Sequence, residues 1–217
     1  MRPFIFSGLL LAALLVVQPT LLAQVHGEGN VIREAIELDD FHSIGLGLDA
    51  TVYLTPGESQ RVVVEGQRNV IELLKREVRN GSWEIAFDRR VRNYERLTIR
   101  ITMPTVENLS IGGSGEIVTE AAFRDLNTLE FAIGGSGSIT FAGSAKRLEV
   151  SIGGSGTVQA EDLSVDNCEV SIGGSGNAYV DVSENLNVSI AGSGDVVYKG
   201  RPKVRSAIAG GGQVRSN

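Results

Sequence analysis

One short run recurs six times in this chain and constrains its fold more than any other feature. The copies are Ile111-Gly112-Gly113-Ser114-Gly115, Ile133-Gly134-Gly135-Ser136-Gly137, Ile152-Gly153-Gly154-Ser155-Gly156, Ile172-Gly173-Gly174-Ser175-Gly176, Ile190-Ala191-Gly192-Ser193-Gly194 and Ile208-Ala209-Gly210-Gly211-Gly212. Their isoleucines step by 22, 19, 20, 18 and 18 residues. Steps of that length suit the rungs of a stacked solenoid and are shorter than helical repeats of roughly 33 residues or more.

The flanks of the clusters alternate. Leu129-x-Phe131-x-Ile133, Leu148-x-Val150-x-Ile152, Cys168-x-Val170-x-Ile172 and Leu186-x-Val188-x-Ile190 lead into them, and Ile117, Ile139, Val158, Ala178, Val196 and Val214 follow at a fixed offset. Period-two alternation with β-branched residues marks half-buried strands. Each rung therefore reads as strand, glycine corner, strand and a loop of variable length. The expected fold is all-β: a right-handed single-stranded β-helix or solenoid with rungs of 18–22 residues.

The copies also divide the glycines by role. The first cluster glycine becomes Ala191 and Ala209 in the last two copies, so that position tolerates a side chain. The second and fourth are glycine in every copy: Gly113 and Gly115, Gly135 and Gly137, Gly154 and Gly156, Gly174 and Gly176, Gly192 and Gly194, Gly210 and Gly212. These sites are expected to need either positive φ or close backbone approach between rungs. Between them, Ser114, Ser136, Ser155, Ser175 and Ser193 form a row expected to bond along the solenoid axis, at a strand spacing of about 4.8 Å.

Glycine supplies 27 of 217 residues and proline only 5, and the glycines are periodic, which separates this composition from low-complexity disorder. The aromatic share of 6% suits a narrow core of Ile, Val and Leu. The single cysteine, Cys168, excludes an internal disulfide, and it shares the inward phase of Leu148 and Leu186, as a core residue does.

Residues 1–23 combine Arg2, an apolar run over 4–17, Pro19 and a small residue at Ala23, the pattern of a secretory signal peptide. An uncleaved N-terminal anchor is the alternative. Only Arg2 is charged there, so its removal takes the net charge from -6 to -7. An acidic chain disfavours nucleic acid and anionic membrane surfaces. Residues 24–217 then read as a single solenoid domain, with an irregular part over 24–108 that closes one end and regular rungs over 109–217. Within the irregular part, Ser43-Ile44-Gly45-Leu46-Gly47-Leu48 reads as a degenerate first rung. Strands are expected over 61–66, 82–87 and 96–101, and one short amphipathic helix near 69–78, ended at Asn80-Gly81.

The clusters do not carry site chemistry. No Gly-Lys-Ser/Thr follows any of them, as a phosphate-cradling loop requires. The residues after them, Glu116, Ser138, Thr157, Asn177, Asp195 and Gln213, lack the regular aspartate of a calcium-binding β-roll. His26 and His42 are unlinked in sequence. No cofactor, metal site or catalytic residue is expected. One outward column stands out: Asn108, Glu130, Glu149, Glu169, Asn187 and Arg205 precede the cluster isoleucines by three residues. Glu130, Glu149 and Glu169 are the candidate surface site, beside a small-residue column of Ser110, Ala132, Ser151, Ser171, Ser189 and Ala207.

The repeated Ser-Ile-Gly-Gly-Ser-Gly run, preceded by Phe41-His42-Ser43-Ile44 and Val62-Val63-Val64-Glu65-Gly66, resembles the bacterial family named putative auto-transporter adhesin, head GIN domain, over roughly residues 38–215. The resemblance implies a β-helix-like fold in exported bacterial proteins and brings no catalytic residues with it.

The expected function is a non-enzymatic exported envelope protein, acting as a binding, adhesion or structural module toward a glycan or an envelope protein. Two alternatives stand beside it. One is a carbohydrate-active β-helix enzyme using the glutamate column as paired carboxylates. The other is a homo-oligomeric scaffold associating through the flat Ser/Ala face or the C-terminal rung.

Overall fold

The computed structural model describes residues 24–95 and 97–217. The signal-peptide reading of residues 1–23 lies outside them, as does Arg96. Sixteen strands join one continuous sheet that winds as a solenoid, and the longest are Ser138–Ile152, Thr157–Ile172 and Asn177–Gly192. These three pair in parallel, with Leu148, Cys168 and Leu186 in one row, Val150, Val170 and Val188 in the next, and Ile152, Ile172 and Ile190 in a third. The cluster isoleucines therefore stack in register, as their flanking alternation predicts.

Each inward row is apolar and buried, and the opposing rows Ile117, Ile139, Val158, Ala178 and Val196 close the core from the other side. Aromatic residues contribute more than the composition suggests. Phe123, Phe131 and Phe141 are fully buried together, with ring centroids 5.5 Å apart for Phe123–Phe141 and 5.3 Å for Phe131–Phe141.

The segments expected as variable loops are strand instead. Residues 142–147 and 161–167 stay in the parallel ladder, and differences in rung length are absorbed as register shifts at Thr140/Ala142, Ala160/Ser164 and Val165/Asn167. A stacked rung has a neighbour above and below, so leaving the ladder would unpair backbone groups on both sides. An inserted residue costs less as a bulge.

Close approach, not positive φ, explains the corner glycines. A Cβ on Gly135, Gly154, Gly174 or Gly192 would collide with the carbonyl oxygen of Gly113, Gly135, Gly154 or Gly174 in the preceding rung. A Cβ on Gly137, Gly176, Gly194 or Gly212 would meet the carbonyl oxygen of the fourth-position glycine one rung back in the same way. Of these positions only Gly210 has positive φ, at 142°. At Gly153 and Gly173 the nearest atom to an added Cβ lies 4.0 and 3.9 Å away, which is why this column accepts Ala191 and Ala209. Gly113 is also unconstrained, with its nearest contact at 3.7 Å, because the adjacent rung carries no cluster there.

The axial bonds of the corner come from the serine backbone, not from the hydroxyls. Ser136, Ser155, Ser175 and Ser193 donate their N–H to the carbonyls of Gly113, Gly135, Gly154 and Gly174 at 3.1, 3.0, 3.0 and 3.0 Å.

The N-terminal half departs from sequential stacking. Ser43–Leu46 pairs in parallel with Ser82–Ile85 on one side and Asn108–Ile111 on the other. Ala50–Pro56 likewise lies between Leu97–Met103 and Glu116–Thr119. The rung over 43–56 is thus second in the stack, not first, and the later segment 82–103 lies outside it. Arg61–Gln67 pairs antiparallel with Leu97–Met103 and with Val31–Ile36, which covers that end of one face.

The helix is a single turn, Arg68–Ile71, shorter than the expected span near 69–78. Tertiary bonds end it. Lys75 N–H donates to Ala86 O and Asp88 N–H to Leu73 O, both at 2.9 Å, and the buried indole of Trp83 donates to Lys75 O at 2.9 Å. Val78–Arg79 then turns back on Ser82–Ile85 as a hairpin.

The far end is an open edge among the described residues. Lys203–Gly210 and Gln213–Ser216 each pair on one side only. Val204 and Ile208 are 37% and 43% exposed. The two edge strands carry Lys203, Arg205 and Arg215, and basic side chains on an edge oppose edge-to-edge pairing.

Two outcomes follow from this geometry. Gly154→Ala should lower stability by about 1–3 kcal/mol, because the neighbouring rung cannot yield, while Gly153→Ala should stay within about 0.5 kcal/mol. Urea midpoints of the two variants check this. Replacing Lys203 and Arg205 together by Thr should promote self-association. Light scattering that stays monomeric at high concentration would show that these cations do not guard the edge.

Candidate functional site

The glutamate column is aligned as its spacing predicts. Asn108, Glu130, Glu149, Glu169, Asn187 and Arg205 are successive Cα partners across the parallel ladder. All three glutamates are exposed, and among the described residues none forms an ion pair or side-chain hydrogen bond. Acid–base work by two carboxylates needs environments that hold one protonated and one ionised. Here all three are exposed on the outer face of the sheet. Glu130 borders a hollow with Ser43, Ser82 and Asn108, and Glu169 borders a shallower one with Asn187 and Arg205.

A better-formed site lies at another corner, where rung length varies. A trough of about 770 Å³ runs along the solenoid axis there. Its floor is the row Leu126, Ala145, Val165 and Val182, whose apolar side chains are buried in the core, ending at Gly200. On one side stand Asp125, Ser144, Ser164 and Asp181. On the other stand Lys146, Asp166, Ser183 and Arg201.

The walls are organised by bonds between rungs. Ser144 Oγ accepts the Asp125 N–H at 2.9 Å, Ser164 Oγ donates to Asp181 Oδ2 at 3.3 Å, and Ser183 Oγ donates to Asp166 Oδ1 at 3.2 Å. Asp125 adopts a left-handed backbone, φ 57°, which turns the chain into the first rung of the trough. Hydroxyls, carboxylates and two cations thus recur along an apolar floor at the strand spacing of about 4.8 Å. Such a surface can accept a ligand that repeats along its own length.

The remaining candidates are structural. His42 Nδ1 lies 3.0 Å from Glu107 Oε2 and 3.2 Å from Ser43 Oγ. Both partners share one ring nitrogen, whereas a nucleophilic relay needs them on opposite nitrogens. Cys168 is buried, and desolvation, with the nearby Glu169 charge, pushes its thiol up to about 12, so it is not a nucleophile. Among the described residues no group of three His, Cys, Asp or Glu is placed to hold a metal. The corner positions Ser136, Ser155, Ser175 and Ser193 flank the backbone contacts between rungs, and Ser114 borders a hollow with Asp49, Asn93, Tyr94 and Glu116.

Sequence spacing misses the trough because bulges break the count. Asp125, Ser144 and Ser164 each precede the next cluster isoleucine by eight residues, but the register shift at Val165/Asn167 places Asp181, nine residues before Ile190, beside Ser164.

A family model described as putative auto-transporter adhesin, head GIN domain, matches residues 40–202. The fold is similar to that of a putative adhesin from Bacteroides fragilis, with TM-score 0.71 and 21% identity over 89% of this chain and 100% of that one. A putative lipid binding protein from Parabacteroides distasonis has TM-score 0.56 and 20% identity over 90% of this chain and 100% of its own. A putative adhesin from Parabacteroides merdae has TM-score 0.54 and 16% identity over 89% and 99%. No curated protein is similar enough to match.

Proposed function

The chain belongs to the putative auto-transporter adhesin, head GIN domain family, and from that premise we propose that it is an exported, non-enzymatic module that binds an extended glycan along the trough. The trough carries the reading: repeated Ser and Asp side chains, with Lys146 and Arg201, line it across successive rungs. Hydroxyl-rich polymers are met by such closely spaced donors and acceptors. The family description and two similar folds named as putative adhesins support a binding role. The leader pattern of residues 1–23 supports export to the periplasm, cell surface or medium.

A lipid tail is the weaker ligand for this trough. Its floor is one residue wide, and both walls are polar, so an acyl chain would leave the aspartates and hydroxyls facing hydrocarbon.

A glycan array followed by calorimetry tests the proposal. Asp166→Ala and Asp181→Ala should each weaken binding to the best array ligand by about 3–10-fold, the loss expected for one or two polar contacts. Glu149→Gln should leave it unchanged. No glycan bound, or binding lost through Glu149 and not through the aspartates, would overturn the proposal.

A further inference from the structure

We infer that a second site, at the capped end of the solenoid, binds a phosphate group. It is independent of the trough and shares no residue with it. On the outer face of the cap, Ala35, Val63, Arg100 and Tyr53 form one row across four neighbouring strands. Arg33 stands two residues before Ala35 on its strand, and Arg61 two residues before Val63 on the antiparallel one. Because those strands run in opposite directions, the two arginines flank the row from opposite sides. Arg33, Arg61 and Arg100 thus surround a hollow of about 450 Å³ floored by the small side chains of Ala35 and Val63, with Thr55 at its margin.

The three guanidiniums are unequally satisfied. Arg100 is fixed: its Nη1 lies 2.7 Å from Glu120 Oε1, and its guanidinium sits 4.6 Å from the Tyr53 ring centroid. Thr55 Oγ1 donates to the other oxygen of Glu120 at 3.4 Å, which holds that carboxylate in place. Arg33 and Arg61 have no ion pair or hydrogen bond from their side chains among the described residues. Glu65 faces Arg33 in register but forms no ion pair with it. Three cations against two carboxylates, Glu65 and Glu120, leave this face positive by one charge, on a chain whose net charge is -6.

The arrangement selects the shape of the anion. A planar carboxylate is matched by one guanidinium in a two-bond fork, whereas several arginines lining one hollow suit the several oxygens of a phosphate. The phosphate can belong to a soluble molecule or to a lipid headgroup, and the experiment separates the two sources.

Inorganic phosphate titrated into the full chain by calorimetry should bind, and increasing sodium chloride should weaken it. Arg33→Thr and Arg61→Thr should each weaken it about tenfold, the loss of one charge-assisted contact. Thr suits an exposed strand, so an unchanged urea midpoint should show that both variants fold. Glu120→Gln removes the competing carboxylate and should preserve or tighten binding. Vesicles of phosphatidic acid in phosphatidylcholine, against phosphatidylcholine alone, form the second arm. Arginine-dependent vesicle capture assigns a lipid headgroup, and phosphate binding without capture assigns a soluble ligand. Absence of phosphate binding, or binding that survives the double Arg33→Thr, Arg61→Thr variant, overturns the inference. Because no trough residue is altered, failure here leaves the glycan proposal standing, and the reverse holds as well.

Discussion

The whole structure depends on how closely the backbone of one rung can approach that of the next. Parallel strands must lie about 4.8 Å apart to share hydrogen bonds. Along the flat faces this spacing leaves room for side chains pointing in or out. At the corner the chain turns, and the carbonyl of one rung points into the space a Cβ would occupy on the next. Gly135, Gly154, Gly174 and Gly192 resolve that conflict by having no Cβ. Because the corners can close, Ile133, Ile152, Ile172 and Ile190 stack directly, and the inward rows bury a continuous apolar core.

This division of labour explains where function can reside. Inward rows and the glycine corners are committed to stacking. Outward rows are free, and on the flat faces they yield an exposed array such as Glu130, Glu149 and Glu169, with hollows beside Glu130 and Glu169. Concavity also arises where regular stacking is perturbed. The trough forms where bulges absorb differences in rung length, and the arginine hollow forms where antiparallel cap strands meet the parallel stack. A regular scaffold of this kind is a frame whose irregular margins can vary without disturbing its core.

The regular half of the fold was legible in the sequence because inward alternation and glycine spacing act within a single rung. Ala191 and Ala209 mark the one glycine column that needs no glycine, and the open space beside Gly153 and Gly173 is the reason. What was not legible depends on contacts distant in sequence. Nothing local announces that 82–103 lies outside 43–56, because parallel pairing of Ile44 with Trp83 resembles any other pairing until the cap is built. The helix near 69–78 stops at Ile71 because Leu73 and Lys75 bond to residues 86–88, bonds that no periodicity within the helix could reveal. The glutamate column was visible at constant offset from the cluster isoleucines. The trough was not, because bulges displace Asp181 from the offset shared by Asp125, Ser144 and Ser164. Arg33, Arg61 and Arg100 come together only through antiparallel register across three strands.

The central claim is that the glycine corners are rigid, hydrogen-bonded contacts between rungs and not mobile binding loops. Native-state hydrogen exchange, resolved to individual amides, tests it most directly. The N–H groups of Ser136, Ser155, Ser175 and Ser193, each bonded to a glycine carbonyl of the preceding rung, should exchange only with global unfolding, together with the flanking core strands. Exchange of these four amides as fast as that of the exposed turn at Glu58 and Ser59 would contradict the account.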